Sequence, residues 1–197
     1  MSNWTVEPAR GKIRLVNDRA LNATAASLLG FLHRGPMSGW DLAATAQTSI
    51  GDFWTVTRSQ VYRELGWMDE AGLVEAGERG ARERRPYSLT DRGREAFAEW
   101  IRREPGPETI RFPLLLTMAF GGALEPERLA GFVRLHRAVH SARLARYEAT
   151  VADPDAGPPD VYGRSTLQFG IEYERAVLRW FDALPPEVRG EDPYHQG

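Results

Sequence analysis

The chain has 197 residues, 42% of them hydrophobic and 26% charged, which is enough to bury a real core in one domain or two small ones. It holds no cysteine, which excludes disulfides, thiolate catalysis and cysteine-based zinc or iron–sulfur sites. A formal net charge of −2 argues against a histone-like protein that grips nucleic acid by bulk charge, while leaving room for a local basic face.

Residues 1–20 lack periodicity. Arg10, Lys12, Arg14 and Arg19 make them a mildly basic arm, which either frays or lies along DNA. A first helix begins at Asn22 or Thr24, both good N-caps, and buries Leu21, Ala25, Leu28, Leu29 and Leu32 before Gly35-Pro36 breaks the chain. A short second helix starts at Ser38, with Asp41 in its first turn, and runs through Trp40, Leu42, Ala43 and Ala46. The loop 48–56 carries Phe53-Trp54, an apolar pair expected to pack under the next helix.

That next helix, about 58–71, is the best punctuated in the chain. Thr57 and Gln60 form a capping box, Val56 staples onto Val61, and Gly72 takes the C′ position. Val61, Leu65 and Met68 share one inward stripe. The opposite face carries Ser59, Arg63, Gly66 and Glu70, flanked by Gln60, Tyr62 and Trp67. These are donors suited to phosphates and base edges. Gly66 costs about 0.5–1 kcal/mol in a helix interior, tolerable where another surface must come close. Three helices in this order, the third with a polar outer face, have helix-turn-helix topology. On this reading the helix is a recognition helix, with Arg58, Ser59, Gln60, Tyr62, Arg63 and Trp67 as candidate DNA contacts. The plainer reading is an ordinary amphipathic surface helix.

Leu73–Ala76 and Pro86–Leu89 read as a strand and its return. The tip between them bears Arg79, Arg82, Arg84 and Arg85 against Glu78 and Glu83. A helix-turn-helix followed by a basic hairpin is a winged helix, its arginines placed for the DNA backbone or a narrow minor groove. Thr90 caps a further helix, about 91–103, with Phe97, Trp100 and Ile101 inward. Glu104-Pro105-Gly106-Pro107 then marks a domain boundary.

The second half is helical. Phe112 to Gly122 forms a short apolar helix after a Pro113 start. Pro126 opens a long helix to about 152, Asp153-Pro154 and Gly157-Pro158-Pro159 break it, and a last helix spans about 162–184. Residues 185–197 are expected to be a flexible tail. Two long helices with apolar stripes and few internal partners call for a second copy of the chain, so 108–184 is read as a dimerisation domain.

These pieces resemble a known family. Leu28-Leu29-Gly30-Phe31-Leu32, Gly35-Pro36-Met37-Ser38-Gly39-Trp40-Asp41-Leu42, Phe53-Trp54, Val61-Tyr62, Leu65, Glu70-Ala71-Gly72-Leu73-Val74 and Arg84-Arg85-Pro86-Tyr87-Ser88-Leu89-Thr90-Asp91-Arg92-Gly93 look like the opening of PadR-type transcriptional regulators. Gly170-Ile171-Glu172-Tyr173-Glu174-Arg175 through Trp180 is similar to the final helix of the subgroup with a long helical C-terminal domain. The resemblance implies a homodimeric winged-helix repressor, often dislodged from its operator by a small aromatic or phenolic ligand. DNA contacts would then fall on Gln60, Tyr62 and Arg63, with Arg82, Arg84 or Arg85 from the wing. Two departures stand out: the family often has proline at the position of Arg63 and a basic pair at Gly66-Trp67, so operator sequence does not transfer.

Other chemistry is thin. His136 and His140 are spaced i, i+4 but lack a third ligand, and no P-loop, Gly-x-Ser-x-Gly, Rossmann glycine run or paired-carboxylate signature occurs. An enzyme is therefore not expected, nor a cofactor. Trp100, Phe120, His136, His140, Tyr147 and Tyr173 offer aromatic and polar atoms for an effector pocket, or else simply pack the core or a dimer seam. With no run of about 18 apolar residues and no signal-peptide pattern, a cytoplasmic protein without a membrane partner is expected.

The expected fold is mainly α with a small β-wing: an arm at 1–20, a winged helix-turn-helix at 21–103, a helical dimerisation and effector domain at 108–184, and a tail. The expected partners are double-stranded operator DNA, a second copy and a small aromatic effector. The alternative is a winged-helix protein-interaction module that never reads DNA, favoured by the near-neutral charge.

Overall fold

A computed structural model describes residues 19–78, 85–153 and 160–190. The chain divides into two compact units, Met1–Pro107 and Glu108–Gly197. Among the described residues no helix is long and apolar enough to cross a membrane.

In the first unit, α1 (Ala23–Leu32) starts where Asn22 accepts a hydrogen bond from the Ala25 N–H. β1 (Met37–Ser38) leads directly into α2 (Gly39–Ser49), capped by Ser38 through the Asp41 N–H. α3 (Arg58–Glu70) follows, then β2 (Val74–Ala76), β3 (Pro86–Leu89) and α4 (Asp91–Ile101). The sheet has the order β1-β3-β2 and is antiparallel, with Met37 opposite Tyr87 and Val74 opposite Leu89. The β2–β3 hairpin is the wing. Sequence pattern missed β1, because two residues are too short to show alternation.

One apolar core holds the three helices and the sheet together. Leu28, Leu29, Leu42, Val61, Leu65 and Met68 are fully buried in it, with Val56 and Val74 at its edge. Gly93 explains part of the tight seam between wing and α4: a Cβ there would lie 2.0 Å from the carbonyl oxygen of Leu73. Thr90 closes the same seam, donating its hydroxyl to the carbonyls of Gly72 and Leu73 and accepting from the Gly93 N–H.

Two expectations fail here. Phe53 and Trp54 do not pack under α3; they are 57% and 44% exposed, because Val56 and Ile50 already fill the space beneath the helix start. Ile101 is exposed at the last residue of α4, whereas Phe97 packs on the core and against His33.

In the second unit, α5 (Pro113–Ala119) passes through a 3₁₀ turn (Gly121–Ala123) into α6 (Pro126–Ala152). α7 (Val161–Asp182) is capped by Asp160 through the Gly163 N–H and packs along α6. The apolar helix foreseen to Gly122 is thus shorter, ending at Ala119. The tail expected to be loose from 185 instead forms α8 (Pro186–Arg189), closed by the left-handed Gly190, φ 73°. It holds because Val188 and Leu184 pack on a small core of Leu114, Val133 and Phe181.

Candidate nucleic-acid interface

The capping box at the start of α3 is complete. The Gln60 N–H donates to Thr57 Oγ1 at 3.2 Å, and the Thr57 N–H donates back to Gln60 Oε1 at 2.8 Å. This pins the first turn, where Arg58 and Ser59 stand exposed. Arg58 also borders a shallow groove of about 250 Å³ formed with Trp40, Ala43, Ala44, Gln47 and Val56.

Tyr62 is half exposed and lies on the first turn of α2. A Cβ at Gly39 would come within 2.6 Å of its ring, so any other residue there would push the ring aside. Arg63 is 64% exposed along its side chain, and a Cβ at Gly66, one turn beyond Tyr62, would meet nothing within 4 Å. Arg58, Ser59, Tyr62 and Arg63 are therefore brought together at the exposed N-terminal half of α3. Gln60 is half-buried, its carboxamide oxygen spent on the cap.

Trp67 sits differently. It is half-buried against the core, and the Arg19 guanidinium lies 4.8 Å from its ring centroid. From the wing, Arg79, Arg82 and Arg84 lie outside the described residues. Arg85 is exposed, but its Nε donates to the Gly77 carbonyl at 3.1 Å, tying the base of the hairpin.

The pattern of periodicity hid one feature. Glu64, on the inner face of α3, is 1% exposed. Both its carboxylate oxygens accept from Arg19, at 2.8 and 2.7 Å, and Asn22 donates at 3.3 Å and Arg63 at 3.4 Å. Burial pushes its pKa up, but the hydrogen bonds and charge of Arg19, with Asn22 and Arg63, outweigh burial and hold it below the ordinary value. Its position three residues after Val61 and one before Leu65 was the available signal. Arg19, read as part of a basic arm that frays or lies along DNA, instead pairs with Glu64 of the protein.

The candidate effector residues are divided between the two units. Trp100 belongs to the first unit and the others to the second. Within the second, His140 is buried and donates to Glu174 at 2.5 Å, beside Phe112 and Phe181. Tyr147 presses on Gly170, and Phe120 and Tyr173 are exposed. His136 is half-buried on α6. Among the described residues no three His, Asp or Glu side chains gather as a metal would need.

A three-helix core closed by a β1-β3-β2 sheet and hairpin defines a winged helix-turn-helix protein. Residues 28–99 match the Transcriptional regulator PadR-like family, and residues 110–185 match the family described as Virulence activator alpha C-term. The chain is 26% identical over 169 residues to the Negative transcriptional regulator PadR of Bacillus subtilis, covering 80% of this chain and 93% of that protein. It is 29% identical over 165 residues to the Probable transcriptional regulator Rv1176c of Mycobacterium tuberculosis, covering 75% and 87%. Its fold is similar to B. subtilis PadR in complex with operator DNA, with a TM-score of 0.68 at 23% identity over 87% of this chain and 100% of that one. It is similar also to the same regulator in complex with p-coumaric acid, with a TM-score of 0.62 at 23% identity over 82% and 96%. Residues 28–99 carry a PadR-like family domain, and the curated relatives support a PadR-like transcriptional regulator.

Proposed function

We propose that the chain acts as a homodimer that binds a palindromic operator in double-stranded DNA and represses transcription until a small aromatic molecule releases it. The observation that carries this reading is α3: a capped helix, buried along Val61, Leu65 and Met68, with Arg58, Ser59, Tyr62 and Arg63 exposed on its N-terminal half. Recognition helices read base edges from that half in the major groove. Gln60 supports the helix start, and Arg79, Arg82, Arg84 and Arg85 of the wing supply backbone or minor-groove contacts. The winged helix of 21–103 is then the reading domain.

The second copy is argued from surface chemistry. Leu135 and Val139 on α6, Tyr162 and Phe169 on α7, and Leu116 on α5 are large exposed apolar side chains of the second unit, the kind of surface that marks an interaction site where it is contiguous. A partner protomer covers such a face and supplies the second recognition helix that a two-fold operator needs. Residues 108–184 would form this dimerisation and effector domain. The p-coumaric acid complex of the B. subtilis regulator supports a phenolic acid as the effector class. Trp100, Phe120, His136, Tyr147 and Tyr173 remain candidates to meet it; His140 serves the packing of α6 on α7.

The test is a gel shift of the whole protein on its own upstream DNA with excess nonspecific competitor, then with a panel of phenolic acids while Trp fluorescence is followed. A competitor-resistant band at a palindrome supports the reading, and release by a phenolic acid supports the effector. Failure on every duplex of a random pool at low salt turns the case to a protein-interaction module, which the near-neutral charge favours.

A further inference from the structure

We infer that Arg19 is a specificity-determining positioning residue: by neutralising the buried Glu64 it releases Arg63 to DNA. This rests on the proposal that α3 reads DNA.

Two guanidinium groups share one carboxylate. Arg19 Nη2 donates to both oxygens of Glu64, at 2.8 and 2.7 Å, two short charge-assisted hydrogen bonds from one amino group. Arg63 reaches only Oε1, at 3.4 Å, the longest of the four contacts, with its side chain largely in solvent. A carboxylate that is 1% exposed must keep a cation beside it, since an uncompensated buried charge is costly. While Arg19 fills that role, Arg63 can leave for a phosphate or a base edge without stranding the charge.

Arg19 is held in place by a second contact, over the Trp67 ring one turn further along α3. Trp67 thus acts as a shelf for the counter-ion. Without Arg19, Arg63 is the remaining guanidinium at the carboxylate among the described residues, and the shortest route to neutrality is to draw it in. Arg63 would then be held by the protein.

The experiment measures binding by fluorescence anisotropy to the tightest duplex that the wild-type protein selects from a random DNA pool, with and without nonspecific competitor. Arg63→Ala sets the floor. Arg19→Ala is expected to lose discrimination on the order of tenfold, approaching that floor. The double variant Arg19→Ala/Glu64→Gln is expected to recover most of it, because a neutral amide does not retain Arg63. If Arg19→Ala does not fold, Arg19→Gln, which keeps a donor but no charge, carries the same comparison.

Recovery in the double variant separates this role from a merely structural one, for which removing a second native partner brings no gain. No loss in the Arg19 variants, or no recovery in the double variant, overturns the inference while leaving DNA reading intact. Failure of the wild type to select any duplex, or an Arg63→Ala variant that binds as wild type, overturns both.

Discussion

His140 and Glu174 meet at 2.5 Å between α6 and α7, both buried, and Arg143 donates to the other carboxylate oxygen at 2.9 Å. A polar cluster in so small a core fixes how the two long helices register. Glu174→Ala removes the acceptor these two groups share, and is expected to cost about 3–5 kcal/mol. Chemical denaturation followed by circular dichroism measures it. A cost under about 1 kcal/mol would mean the cluster is solvated rather than structural.

Glu64 makes acid stability a reporter of α3. Its native pKa lies below the unfolded value near 4.5, so the stabilisation is present above that pH. It is lost as pH falls through the lower native value. Glu64→Gln is therefore expected to flatten the acid limb of the stability profile below pH 4.5, relative to wild type. Parallel acid limbs for the two proteins would contradict the role given to the Arg19 pair.

The cap of α3 should be separable from its reading face. Thr57→Ala loses both the side-chain acceptor for the Gln60 N–H and the hydroxyl bond to Gln60, and is expected to destabilise by about 0.5–2 kcal/mol. Asp at the same position restores the acceptor, so thermal unfolding of Thr57→Asp should sit close to wild type.

Gly66 tests whether something approaches the outer face. With nothing within 4 Å of an added Cβ, Gly66→Ala should raise stability by about 0.5–1 kcal/mol. If DNA passes close to this turn, operator affinity falls in the same variant. A protein that gains stability and keeps its affinity would show that Gly66 has no share in the interface.

Much of this architecture is legible in the residues. Thr57 with Gln60, Gly72 after α3, and Thr90 before α4 are local signals whose physics acts within one turn, and each cap forms where its sequence indicates. Apolar spacing likewise finds Val61, Leu65 and Met68. What escapes depends on distant partners. Arg19 and Glu64 are 45 residues apart, and neither carries a periodic mark that joins them. Glu174 and His140 are 34 apart on different helices. Phe53-Trp54 misleads for the opposite reason: apolar type predicts burial only if the core has room, and Val56 and Ile50 have taken it.

The most direct measurement is the salt dependence of binding to a selected palindromic duplex, with the protein's mass in the complex determined by light scattering. A dimer on DNA, with affinity falling about a thousandfold or more between roughly 50 and 200 mM salt and surviving nonspecific competitor, is the expected result. A monomer on DNA, or binding that competitor abolishes on every duplex tried, would contradict the account.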